Sequence, residues 1–136
     1  MSEEQLSVDV TEYVLRRIHK DHVDITLRIP FRPAAFKPTE SDQDGLSVYR
    51  ERFVSAAEVA AGGRTPGAYY VVRLAVQDLH RLHLSVVPAP GPLPGHAVIP
   101  QLNRAFYASD KQRSKNLQLE LCRVASQAIV HRPDPT

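Results

Sequence analysis

The chain has 136 residues, 43% of them hydrophobic and 24% charged, with a formal net charge of +2. That is the length and composition of one globular domain, which excludes disordered, collagen-like and coiled-coil chains. No apolar run approaches the roughly 20 residues that cross a bilayer. The acidic start, Met1-Ser2-Glu3-Glu4, lacks the basic and then apolar pattern of a secretory leader. A single cysteine, Cys122, allows no internal disulfide, so the sequence predicts a cytoplasmic protein without membrane contact.

Residues 1–8 are expected to be a flexible N-terminus. Asp9 and Glu12 have the spacing of a capping box, and Val14, Leu15 and Ile18 recur at helical spacing, which predicts a helix over 10–19. Val23, Ile25, Leu27 and Ile29 then alternate with Asp24, Thr26 and Arg28, the period of a strand with one wet face, and Pro30 ends it. Residues 30–45 read as an extended loop pinned by Phe31 and Phe36. A strand is expected over 46–50. A second capping box, Ser55 with Glu58, and the Gly62-Gly63 stop bracket a helix over 56–61.

A strand over 68–74 follows Pro66-Gly67, and Val76, Leu79 and Leu82 give two helical turns after it. A strand over 84–87 is expected next, then a stiff proline-rich connector over 88–95 and a brief strand over 96–99. The C-terminal part reads as a helix over 103–108 and a stronger one over 110–127, with 132–136 a tail. The architecture predicted is α+β: one domain over 9–131, with a small mixed or antiparallel sheet of about five short strands. An N-terminal helix, two short helices and a longer C-terminal helix pack on it.

Charge is uneven along the chain. Residues 1–45 carry nine acids and six bases, whereas residues 101–136 carry three acids and six bases. The C-terminal quarter is therefore the candidate anion-binding face, and Arg104, Lys111, Arg113, Lys115 and Arg123 are its nucleic-acid-binding candidates. Thirteen arginines stand against four lysines, a bias that fits a GC-rich bacterial genome.

Four of the six histidines form two H-x-x-H pairs, His19/His22 and His80/His83. Spacing three on a helix puts both imidazoles on one face, so the pairs, with Asp24, are candidate ligands of a divalent metal. No H-E-x-x-H, C-x-x-C or EF-hand pattern accompanies them, and the default expectation is no cofactor. His96 opens a strand behind the proline connector, where an imidazole is held at a rim, and with His83 it is a candidate acid–base residue. The run His83-Leu84-Ser85-Val86 resembles the unit motif of the two-histidine phosphoesterases. That resemblance implies two histidines on paired strands acting on a phosphodiester. The second copy is missing: His22-Val23-Asp24-Ile25 and His96-Ala97-Val98-Ile99 lack the hydroxyl residue.

No nucleophile motif or phosphate loop is present, and Cys122 falls on an apolar helix position. The sequence is rich in structural punctuation and poor in convergent catalytic groups, so it leans away from an enzyme. It favours a bacterial adaptor or accessory protein acting through a protein partner or its own copies. The candidate surfaces are the 30–45 loop, the 88–95 connector and the outer face of the last helix. The alternatives are a small His-dependent hydrolase or nuclease, metal-assisted or not, and a nucleic-acid binder using the basic C-terminal helix.

Overall fold

The computed structural model describes residues 5–39, 42 and 44–135. A six-stranded sheet organises them: β1 (Tyr13–His19), β2 (Leu46–Arg50), β3 (Tyr69–Ala75), β4 (Val87–Pro88), β5 (His96–Ile99) and β6 (Ile129–His131). The order is β4-β5-β2-β1-β3-β6, and every ladder is antiparallel. Four helices accompany it: α1 (Ala56–Ala61), α2 (Val76–Arg81), α3 (Arg104–Ser109) and α4 (Lys111–Ala125). The single α+β domain expected from the sequence is the one observed, with two exchanges near its start, the strand expected over 84–87 shifted to β4 at Val87–Pro88, and one added edge strand, β6.

The first exchange replaces the expected N-terminal helix with β1. The Asp9–Glu12 box is real, but it closes a turn: Asp9 N–H donates to Glu12 Oε2 at 2.8 Å and Glu12 N–H to the Asp9 carbonyl at 3.0 Å. Val14 and Leu15 then bury on opposite faces of the sheet, Val14 in the larger core and Leu15 in the smaller. A strand covered on both sides needs no alternation, so its apolar residues imitate helical spacing.

The larger core joins Val14, Ile18, Val48, Leu74 and Ile99 to Phe36, Leu79, Leu102 and Leu121. The smaller packs Leu15, Tyr49 and Val71 against Val54 and the α1 residues Val59 and Ala60. Both poles of the α1 capping box form, with Glu58 N–H on Ser55 Oγ and Ser55 N–H on Glu58 Oε1, each at 3.1 Å.

One buried ion pair anchors the N-terminal segment to the sheet. The Arg50 side chain is wholly buried, donates to both Glu12 carboxylate oxygens at 2.9 and 2.7 Å, and reaches the Leu6 carbonyl at 2.8 Å. Burial opposes ionisation of Glu12. The Arg50 and Asp9 hydrogen bonds and the nearby Arg50 and Arg52 charges outweigh it and hold the carboxyl below its ordinary value.

Beyond Val14 and Leu15 the β1–β2 ladder stops. Arg16 fills the split, donating to the Ser47 carbonyl at 2.9 Å and the Ala35 carbonyl at 3.1 Å. Burial lowers its pKa while Asp42 opposes that shift. Asp42, itself buried, accepts from Thr39 N–H at 2.8 Å and from Ser47 Oγ at 3.3 Å. Phe31 and Phe36 pin this loop as expected; residues 40, 41 and 43 lie outside the described residues.

Candidate functional site

The second exchange creates the most unusual surface of the molecule. Residues 23–29 alternate like a strand but form a closed loop after β1 and the 3-10 turn Lys20–His22. Val23 bridges Phe31, Asp24 N–H donates to the Pro30 carbonyl at 2.8 Å, and Arg32 N–H donates to the His22 carbonyl at 2.9 Å. At the tip, Asp24 Oδ1 takes Thr26 Oγ1 at 2.6 Å and Thr26 N–H at 3.1 Å, while Leu27 N–H donates to the Asp24 carbonyl at 3.1 Å. Those Thr26 bonds hold the Asp24 carboxyl below its usual range.

Local capping of this kind competes with a ladder and wins here. The neighbouring β1 is paired with β3 along its whole length, and on its other side Arg16 fills the gap where β2 diverges. The tied loop presents Ile25, Leu27 and Ile29 to solvent at 62%, 57% and 37% exposure. Arg28 and Arg32 are exposed beside them. Three aliphatics held outward on a hydrogen-bonded loop are a surface shaped for burial against something else.

A concave feature lies elsewhere, a pocket of about 590 Å³ between the end of α2 and the α3–α4 pair. Leu82, Leu84, Phe106 and Leu117 line it together with Arg81, His83, Gln101, Arg113, Asn116 and Glu120. Gln101 is bracketed to the wall, its Oε1 accepting Ser85 N–H at 3.0 Å and its Nε2 donating to Ser85 Oγ at 2.8 Å. His83 follows α2 with φ +62°. Leu84 N–H returns to the Leu79 carbonyl and His83 N–H to the His80 carbonyl, the bond pair that glycine normally closes. A side chain in this left-handed conformation costs roughly 1–2 kcal/mol, and here it sets an imidazole at the pocket mouth.

His96 is held through both ring nitrogens and one ring face, and it also lines a hollow shared with residues 87–91 and Leu93. Its Nδ1 lies 3.0 Å from the Pro90 carbonyl, which only accepts, so Nδ1 carries the proton. Its Nε2 lies 3.2 Å from Ser47 Oγ, and its ring packs on Tyr49 with centroids 5.3 Å apart. A Cβ on Gly91 would collide with the imidazole, so the proline connector rests directly on it. Ser47 Oγ also faces Asp42. The Pro90 and Ser47 contacts of His96 therefore tie the connector to β2 and work as a lock near the edge of the sheet.

The remaining sequence candidates are dispersed. His19 sits at the end of β1 paired with Tyr69, whereas α2, bearing His80, leaves from Ala75 at the other end of β3. Seven residues of strand separate those ends by roughly 20 Å. Among the described residues no three His, Cys, Asp or Glu side chains gather as a metal site would require, and Asp24 is turned onto Thr26. Burial and the neighbouring His19 lower the pKa of His22. His83 lies at a helix end, not on a paired strand, and no second strand brings a like motif to it.

Of the basic residues, Arg104 lies on α3 and the other four on α4. Two residues along a helix turn it by roughly 200°, so Arg113 faces the pocket while Lys111 and Lys115 face away from it. Arg123 donates to Glu120 at 2.8 Å. Burial pushes the Cys122 thiol up to about 11, a neutral and unreactive state.

The exposed aliphatic loop escaped the sequence reading, although Asp24 and Thr26 inside the alternating run are the residues of a turn. The pocket left no linear signal, because its lining comes from four separate segments. No helix among the described residues is long and apolar enough to cross a membrane. Comparison with protein-family models, curated proteins and solved structures yields no match.

Proposed function

We propose that this chain is a small, non-catalytic bacterial adaptor that works in the cytoplasm by docking its 24–30 loop into a protein partner. The observation that carries this reading is the outward display of Ile25, Leu27 and Ile29 on a loop tied at both stem and tip. Fully burying such side chains is worth roughly 1.5–3 kcal/mol each. Three of them supply the core of a specific contact, and the rigid loop reduces the ordering cost of forming it.

The flanking Arg28 and Arg32 favour an apolar cleft with an acidic rim. They disfavour the chain's own pocket as receptor, since that pocket is bordered by two arginines, Arg81 and Arg113, against one acid, Glu120. The partner is therefore a different protein. The test is affinity capture from the native host with the wild-type chain and with Ile25→Ser, Leu27→Ser and Ile29→Ser combined. The reading predicts a partner retained by the wild type and lost from the variant, with the melting temperature unchanged. Equal retention by both chains would overturn it.

A further inference from the structure

The geometry points to the pocket between α2 and α4 as a binding site for a small amphiphilic carboxylate, an apolar body with one anionic head. Leu82, Leu84, Phe106 and Leu117 give it an apolar floor continuous with the larger core. Its volume of about 590 Å³ lies within the usual range of sites that hold small organic ligands.

The polar rim decides the sign of the head group. Three of its acceptor atoms are engaged within the chain, Gln101 Oε1 by Ser85 N–H at 3.0 Å, Asn116 Oδ1 by Gln112 at 3.0 Å, and Glu120 Oε1 by Arg123 at 2.8 Å, which leaves Glu120 Oε2 as the open acceptor of that carboxylate. Three donor groups of the rim are not engaged. The Arg113 guanidinium, Asn116 Nδ2 and the His83 ring have no partner among the described residues. Unspent donors around an apolar hollow match an acceptor-rich anion, and the planar guanidinium fork matches a carboxylate best. The strained backbone of His83 supports the same assignment. Glycine would close this helix end without strain, whereas histidine adds a donor at the mouth.

The test titrates the full chain with decanoate and, separately, with decanol, which has the same apolar body without the charge. Methyl resonances of Leu82, Leu84 and Leu117 report occupancy. The expected result is saturable binding of decanoate at these methyls, about tenfold or more tighter than decanol. In Arg113→Gln, an exposed helix-surface change that leaves the floor intact, decanoate falls to the affinity of decanol. Equal affinities in the wild type, an unchanged preference in Arg113→Gln, or shifts confined to Ile25, Leu27 and Ile29 would each overturn the assignment.

Discussion

The loop after β1 and the pocket beside α4 both join aliphatic side chains to arginines, yet one is convex and the other concave. In the loop the aliphatics stand outward on a hydrogen-bonded stem, so only a surface larger than the loop can cover them. In the pocket they form a floor, and the unspent donors sit around it, so a single small amphiphile suffices. The same residue types thus serve two kinds of recognition, and backbone curvature selects which. Local capping by Asp24 and Thr26 makes the loop turn outward; the Gln101–Ser85 bracket and the His83 helix end make the pocket wall turn inward.

The comparison breaks most completely if the common scaffold fails. Glu12→Ala leaves the buried Arg50 without its carboxylate and should cost about 3–5 kcal/mol, read as a drop in the urea midpoint. Loop and pocket should then lose their binding together. The loop alone is addressed by the triple serine change at Ile25, Leu27 and Ile29. It should abolish partner capture while shifting stability by no more than about 0.5 kcal/mol per substitution, because exposed side chains are altered. Decanoate binding should persist in that variant.

His83→Gly sharpens the contrast from the pocket side. Relief of the left-handed strain should stabilise the fold by about 0.5–1 kcal/mol, seen as a higher melting temperature, while decanoate binds more weakly. A residue kept only for packing would not trade affinity against stability in this way. A smaller effect concerns acid. The folded-state pKa of Glu12 lies below its ordinary 4.5, so the unfolded chain binds a proton first as pH falls. The Glu12 contribution is present above pH 4.5 and is lost as pH falls from there through the depressed value. The stability of Glu12→Gln should therefore vary less with pH in that window than that of the wild type.

Much of the fold could be read from the sequence where local chemistry and tertiary context agree. The box of Ser55 and Glu58 with Gly62 marked α1 to the residue, and β5 appeared at its observed bounds, His96–Ile99. The two failures share a cause. At β1, burial on both faces overrode the alternation that a one-sided strand would show, and Asp9–Glu12 capped a turn. At 23–29 the alternation was genuine, but Asp24 closed the loop on itself, and only Val23 makes a bridge, to Phe31. Periodicity reports which residues are alike; it does not report how many layers cover them.

The candidate site was less legible. His83 and Arg113 were named, but for metal, catalysis or nucleic acid, while Leu82, Phe106 and Leu117 carried no linear mark of a shared pocket. His96 was expected at a rim, and the bonds to Pro90 and Ser47 show it as a clamp on the proline connector.

The most direct measurement places a photoreactive residue at Leu27 and, in a separate chain, at Leu119, an exposed leucine on α4. Irradiation in the native host should give a discrete protein adduct from position 27 and none from position 119. The adduct should vanish when Ile25→Ser and Ile29→Ser are added. No adduct at 27, or the same products from both positions, would contradict a loop built for docking.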